Sequence, residues 1–380
     1  MKEKFSLKDE LFNPDKVQKI ASEIQVVYAD FAQEAFAAEV ISLFPELELK
    51  ERIDHIRDML AKYLPDDYRE ATGILLDALP AELDGDEEDN DFGDFIYAPY
   101  GAYVTAFGSD KKDLDFSLLA LREITKRFSV EFSIRDFINA FPKETFEMLK
   151  ECASSENYHE RRLASEGLRP KLPWAKKINL DYHETLVILD ILFADKTRYV
   201  TRSVANHLND ISKLDASLVV ETLMYWKSSG KQEEKEMGFI IRHALRTLVK
   251  QGNTEALLLL GYKKDPDIAV SDLNLYHDEV ELGESLLFDF EIEAKEDCDL
   301  LVDYMIHFRT KSGKISPKVH KIKKLSLKVG DCIGISKKHP FKANMSTRKL
   351  YFGEHKLELQ INGKCYGANT FVLNGQKPTF

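Results

Sequence analysis

RRLASEGLR at 161–169, RSVANHLND at 202–210 and RHALRTLVK at 242–250 can be stacked one on another. Their first residues lie 41 and then 40 positions apart. Each follows an apolar stretch of helical character: Phe146–Cys152, Leu186–Phe193 and Leu218–Trp226. A period near 40 built from two helices is the mark of HEAT-type repeats, in which each pair buries one face against its neighbours. The second helices of such pairs line one concave surface. Positions 0, 5 and 8 of the register fall at about 0°, 140° and 80° around a helix, so they share one broad face. That face carries Arg161, Glu166 and Arg169, then Arg202, His207 and Asp210, then Arg242, Thr247 and Lys250. Leu163, Leu168, Val204, Leu208, Leu245 and Leu248 fall between them and are expected in the core.

Outward from this register the pattern stays helical towards the N-terminus. Val17, Ile20, Ala21, Ile24 and Val27 recur at helical spacing behind Pro14, and Ile53, Ile56, Leu60 and Tyr63 do so before Pro65. AELDGDEEDNDFGDF at 81–95 concentrates acid, which cannot be buried together, and reads as a solvated insertion. Tyr97, Tyr100, Tyr103 and Phe107 follow. They could face DNA, but packing between helices is the favoured reading.

Beyond Gly261 the period changes. Leu287–Ile292, Val302–Phe308, Lys323–Leu327, Leu350–Leu359 and Tyr366–Leu373 read as strands, separated by turn signals at 311–314, 329–331 and 362–364. The expected architecture is multidomain. An all-α HEAT-like repeat solenoid spans 1–270. A linker covers 271–284, and a small, basic, all-β sandwich covers 285–380.

Charge follows that division. The chain carries −12 overall. From Ser285 onward there are 17 Lys+Arg and 10 Asp+Glu, a net of +7, so the first 284 residues carry −12 − 7 = −19. From Tyr304 onward the balance is 16 against 3, or +13. A basic module on an acidic body suits a phosphate backbone, and Lys337 and Lys338 are among its candidate contacts.

Other chemistries find little support. The four cysteines form no CxxC pair, and no zinc-type spacing of His and Cys occurs, so no metal or other cofactor is expected. GxSxG, P-loop and HExxH motifs are absent. His207 and His243 read as ordinary core or surface histidines. No apolar run is long enough to span a membrane, and the N-terminus lacks a signal-peptide core, so a cytoplasmic location is expected.

Four stretches carry a more specific signal: FGDFIYAPYG at 92–101, SVEFSIR at 129–135, ASEGLRPKLPW at 164–174 and VANHLNDISK at 204–213. They resemble the AlkC family of HEAT-repeat DNA glycosylases, in the subgroup with an added immunoglobulin-like C-terminal domain. The likeness runs from FSLKDELFN at 5–13 into the basic tail. It implies base excision repair: hydrolysis of the N-glycosidic bond of cationic alkylated bases such as 3-methyladenine and 3-methylcytosine. The related AlkD proteins do this without fully flipping the lesion. By this resemblance Glu166 is the main catalytic carboxylate, Glu131 supports it, and Trp174 meets the sugar of the damaged nucleotide. Asp210 is a further candidate, placed by register and motif. Arg161, Arg162, Arg169, Arg202, Arg242 and Lys250 are expected on the DNA. Alkylated DNA is the implied partner; a monomer suffices, with no obligate protein partner. Two alternatives stay open on the residues alone: a non-enzymatic HEAT scaffold that binds proteins, and a DNA-structure binder that excises nothing.

Overall fold

A computed structural model describes residues 6–83, 92–343 and 349–375. The acidic run at 84–91, half of the expected insertion, lies outside the described residues. The chain divides into two compact units. One comprises residues 1–214 with 225–244; the other comprises 215–224 with 245–380.

The helices are α1 Leu7–Leu11, α2 Pro14–Val27, α3 Gln33–Ser42, α4 Leu49–Tyr63, α5 Tyr68–Asp77, α6 Ala98–Gly108, α7 Leu114–Thr125 and α8 Ile134–Ala140. There follow α9 Pro142–Cys152, α10 Tyr158–Glu166, α11 Tyr182–Leu192, α12 Arg198–Ile211, α13 Ala216–Ser229, α14 Glu234–Ala244, α15 Arg246–Lys250 and α16 Thr254–Leu259. Their starts follow from local chemistry. Asn13 caps α2 by accepting from the Lys16 amide, with Pro14 at the first position. Glu48 and Glu51 close a capping box on α4, which ends before Pro65. Asn157 caps α10 and Asp181 caps α11. No helix among the described residues is long and apolar enough to cross a membrane.

The register pairs α9 with α10 and α11 with α12, and α12 packs between α10 and α14. Leu163, Leu168, Val204, Leu208, Leu245 and Leu248 are all buried. Phe193 stacks on Trp226 at 4.5 Å, and the indole Nε1 donates to Asp190 Oδ1 at 2.6 Å. Tyr97, Tyr100 and Tyr103 are packing residues, while Phe107 is exposed.

The third register segment departs from expectation. α14 ends at Ala244, Leu245 sits between helices, and Arg246–Lys250 form α15 in the other unit. Arg242 lies on α14 and Lys250 on α15. No glycine or proline marks this break, so the apolar pattern runs through it unchanged.

The second unit carries a β-sandwich. Its strands are β1 Ile268–Val270, β2 Asn274–Leu275, β3 Glu279–Glu281, β4 Ser285–Ala294, β5 Cys298–Arg309, β6 Ile315–Leu327, β7 Cys332–Pro340, β8 Gly353–Ile361 and β9 Lys364–Asn374. One sheet has β4 at its centre, with β1 and β2 along one edge and β7 along the other. The other runs β3-β9-β8-β5-β6, with β3 parallel to β9. Alternate residues point inward: Leu286, Phe288, Phe290 and Ile292 from β4 meet Leu300, Val302, Ile306, Leu357 and Leu359.

Three features of this unit correct the sequence reading. Residues 271–284, expected as a linker, contain β2 and β3, both hydrogen-bonded into the sheets. β6 begins eight residues before the expected Lys323. β7 was not anticipated, because only Ile335 and His339 of its nine residues are buried. The common cause is edge position. Edge strands bury few side chains and here carry lysines, which hides the period of two.

Candidate active site

The conspicuous chemistry of the helical unit is a chain of buried charges. Arg162, on α10, donates from Nη1 to Glu131 Oε2 at 3.0 Å and to Ser129 Oγ at 2.6 Å. Its Nη2 lies 3.8 Å from Glu166 Oε1, one turn along the same helix. Arg169 Nη1 donates to Glu166 Oε1 at 2.6 Å, and its Nε donates to Asp210 Oδ2 at 2.9 Å. Lys213 closes the series by donating to Asp210 Oδ1 at 3.0 Å. Glu131, Glu166 and Asp210 thus face Arg162, Arg169 and Lys213, three anions against three cations. This balance makes the burial tolerable, since an unpaired charge here would cost several kcal/mol.

Each member is placed by the helical layer. Position 5 of the first segment sets Glu166 against Ser203 of the next, whose Oγ donates to Glu166 Oε2 at 2.5 Å. His207 sits below, with Nδ1 donating to the Ser165 carbonyl at 3.0 Å and Nε2 facing Thr185 Oγ1 at 3.2 Å. Arg162 is further fixed by stacking. Its guanidinium lies 4.5 Å from the Tyr199 ring centre and 5.3 Å from that of Phe92.

The electrostatics follow from the contacts. Burial alone would raise the Glu166 pKa, but Arg162 and Arg169, with hydrogen bonds from Ser203 and Arg169, hold it below the ordinary value. Burial also opposes charge on Arg162, yet Glu131 and the neighbouring Tyr199 and Glu166 keep it firmly protonated. His207 is pushed down to about 4 by burial, the backbone hydrogen bond to Ser165 opposing this, so it is neutral at physiological pH.

The two glutamates differ in reach. Both Glu166 oxygens are occupied and the residue is 5% exposed. Glu131 sits in the turn before α8, is only partly buried, and takes its hydrogen bonds from Ser129 and Arg162 on Oε2. Its Oε1 has no hydrogen-bond partner among the described residues.

Exposed aromatic groups surround this carboxylate. Phe132 follows Glu131 in sequence and is 39% exposed; Phe92, against Arg162, is 43% exposed. Trp174 is 80% exposed. It is held at φ 61°, in the left-handed region that a bulky residue seldom adopts. Lys50 Nζ donates to the Trp174 carbonyl at 2.7 Å and lies 5.7 Å from the Phe132 ring centre. Lys50 therefore links Trp174 to the segment that carries Glu131.

The expected site residues are distributed unevenly. Glu131, Glu166, Asp210, Arg162 and Arg169 share the network just described. Arg161 lies apart from it, buried against Asp195 and the Ser155 and Glu156 carbonyls. Arg161, Arg162 and Arg169 direct their guanidinium groups at protein acceptors. Arg202 is half-buried, whereas Arg242 and Lys250 are exposed. In the sandwich, Lys337 and Lys338 lie on β7 opposite Phe288 and Leu287, with Lys338 exposed. Sequence reasoning did not single out Ser203, Tyr199 or Lys50. A serine one position after a register arginine carries no visible signal, and Lys50 reaches the site from a distant helix.

The comparisons with known proteins bear on this geometry. The chain is 33% identical to the protein YhaZ of Bacillus subtilis over 368 residues, covering 96% of this chain and 98% of that one. Residues 269–375 match the family described as "Uncharacterised protein YhaZ, C-terminal Ig-like domain". Among solved structures, the alkylpurine DNA glycosylase AlkC of Pseudomonas fluorescens, bound to DNA containing an abasic site analogue, is 32% identical. It superposes over 97% of this chain and 100% of that one with a TM-score of 0.84. The chain belongs to the AlkC family. Its sandwich is the immunoglobulin-like domain expected of the subgroup, and helical unit and sandwich follow one another in the AlkC order.

The buried histidine makes the pH response of this AlkC-family fold testable. Unfolded, His207 titrates near the ordinary 6.5; folded, it does so near about 4. Between those values the unfolded chain binds a proton that the folded chain refuses, so stability is full above the upper value and falls with falling pH. His207→Gln should flatten that decline in urea unfolding followed between about pH 7 and 4. An equally steep decline in the variant would remove His207 as its source.

Proposed function

We propose that the chain is a monofunctional DNA glycosylase for cationic alkylated bases, 3-methyladenine and 3-methylcytosine among them. The observation that carries this reading is Glu131: a fixed carboxylate with one uncommitted oxygen, flanked by exposed aromatic rings, in a fold shared along its length with a DNA-bound alkylpurine glycosylase.

The chemistry asks for little more. An alkylated base already carries positive charge. When its N-glycosidic bond breaks, the bonding electron pair goes to the base and neutralises it. The sugar is left as an oxocarbenium ion, which water captures at C1′ with loss of a proton. An anionic oxygen beside that carbon stabilises the developing charge and accepts the proton. Glu131 Oε1 is available for both tasks. Trp174 offers an aromatic face to the cationic sugar, a favourable cation–π arrangement.

This reading redistributes the roles expected from sequence. Glu166, with both oxygens taken, serves as the buried anion that anchors Arg162 and Arg169. Arg162 in turn orients Glu131 through Oε2, leaving Oε1 outward. Asp210 anchors the far end of Arg169.

The cations that meet phosphate are then those without carboxylate partners. Lys318 and Lys323 on β6, with Lys337 and Lys338 on β7, have no ion pair among the described residues. β6 and β7 are the free edges of their respective sheets, joined by the turn at 328–331. Arg242 and Lys250 are also exposed.

Two sets of variants test the proposal. Glu131→Gln should slow single-turnover release of 3-methyladenine by about 10²- to 10³-fold while binding to abasic-site DNA persists. Glu166→Gln should also slow release and, unlike Glu131→Gln, lower the unfolding midpoint markedly, because two buried arginines lose a partner. Full activity of Glu131→Gln would exclude it as the acting carboxylate. Separately, Lys337→Ala combined with Lys338→Ala should weaken DNA binding and reduce the slope of log affinity against log salt by up to about 2. An unchanged slope would place the phosphate contacts elsewhere.

A further inference from the structure

Arg135 is buried to within 1% of its surface, yet it has no carboxylate within ion-pair distance among the described residues. Its guanidinium instead donates to three backbone carbonyls. Nη1 donates to Gly167 at 2.9 Å and Arg169 at 3.0 Å, and Nε donates to Lys176 at 2.5 Å. Those acceptors lie on both sides of Trp174 in the loop between α10 and α11. One side chain thus ties together the segments that flank Trp174.

The neighbouring contacts repeat the theme. Gly167 lets α8 approach closely, since a Cβ there would meet Ile134 Cγ2 at 2.8 Å and Leu163 O at 3.0 Å. Asp136 pairs with Lys176 Nζ at 2.6 Å. Asn139, one turn beyond Arg135, donates to the Lys177 carbonyl at 3.0 Å and accepts from the Asn179 amide at 2.8 Å. α8 therefore presents a stripe of Arg135, Asp136 and Asn139 to the loop alone.

A buried, unpaired guanidinium is costly, and burial pushes the Arg135 pKa down to about 10. A leucine or methionine would fill the same space without that cost. What an apolar residue cannot do is hold three carbonyls at fixed separation. The strained φ of Trp174 needs such outside restraint to persist, because an exposed indole has almost no packing of its own to enforce it.

We propose that Arg135 is the positioning residue for Trp174: it fixes the loop in advance so that the indole is already set for the damaged nucleotide before DNA arrives. The role of Trp174 at the nucleotide rests on the glycosylase reading above; the restraint of the loop by Arg135 does not. Asn139 is a second, weaker tether of the same loop. Misplacing a group by about 1 Å can cost on the order of 10²-fold in rate, so a free loop should be felt in turnover more than in binding.

The test uses the full chain labelled with 5-fluorotryptophan, which contains two tryptophans and so gives two ¹⁹F resonances. Trp174→Phe assigns them. In Arg135→Met the Trp174 resonance should shift and narrow as the indole gains motion, while that of buried Trp226 stays in place. Asn139→Ala should do the same more weakly, and covers the case in which Arg135→Met does not fold, judged by circular dichroism. A Trp174 resonance unchanged in position and width in a folded variant would overturn the restraint. In single-turnover excision, Arg135→Met should lose about 10- to 100-fold, and the same substitution on a Trp174→Ala background should lose little more. Additive losses would overturn action through Trp174 and assign Arg135 to the charge network instead. If the wild-type chain released no base, the glycosylase reading would fail while the resonance measurement still decided the restraint.

Discussion

The Arg162 guanidinium reaches Glu131 through one nitrogen and approaches Glu166 through the other, and the rest of the site is arranged around it. A buried arginine must have its donors met and its charge balanced, and a buried glutamate must have both oxygens engaged. Arg162 meets these demands for two carboxylates at once, but unequally. Glu166, further enclosed by Arg169 and Ser203, becomes a fixed anion. Glu131 keeps one oxygen uncommitted. The asymmetry creates a usable anion from a network that is neutral in sum. Tyr199 and Phe92, against the Arg162 plane, keep the bridge from swinging away.

The same constraint explains how charge is used along the chain. In the helical unit, Arg162, Arg169 and Lys213 are engaged by Glu131, Glu166 and Asp210. The sandwich keeps lysines such as Lys318, Lys323, Lys337 and Lys338 on its free strand edges, where they also discourage edge-to-edge association. The overall charge of −12 hides this division between an acidic body with a balanced buried network and a module with cations to spare.

Much of this was legible in sequence, and the exceptions have physical causes. The 40-residue register brought Glu166, Arg169 and Asp210 together correctly, because helical periodicity sets which side chains meet. It did not show the break after Ala244, which leaves the apolar pattern intact. It also set Arg161 and Arg169 on one face without showing what covers them. Periodicity reports angle around a helix, not whether a partner from the next layer covers that angle. Four of the five expected strands were placed to within a few residues, whereas β7 and the first half of β6 were hidden by their lysines. Arg135, Lys50 and Ser203 were invisible as site residues because their acceptors are backbone carbonyls or come from distant segments. Trp174 was legible only as a residue after proline on a loop; its positive φ is a tertiary property.

The central claim is that a carboxylate with a single uncommitted oxygen, beside exposed aromatic rings, cleaves the glycosidic bond of a base that already carries charge. Its most direct test is to incubate the wild-type protein with methylated DNA and identify the free bases by mass spectrometry. Release of positively charged bases, 3-methyladenine foremost, with neutral methylated bases left in place, is the predicted result. Tight binding to that DNA with no base released would contradict the account.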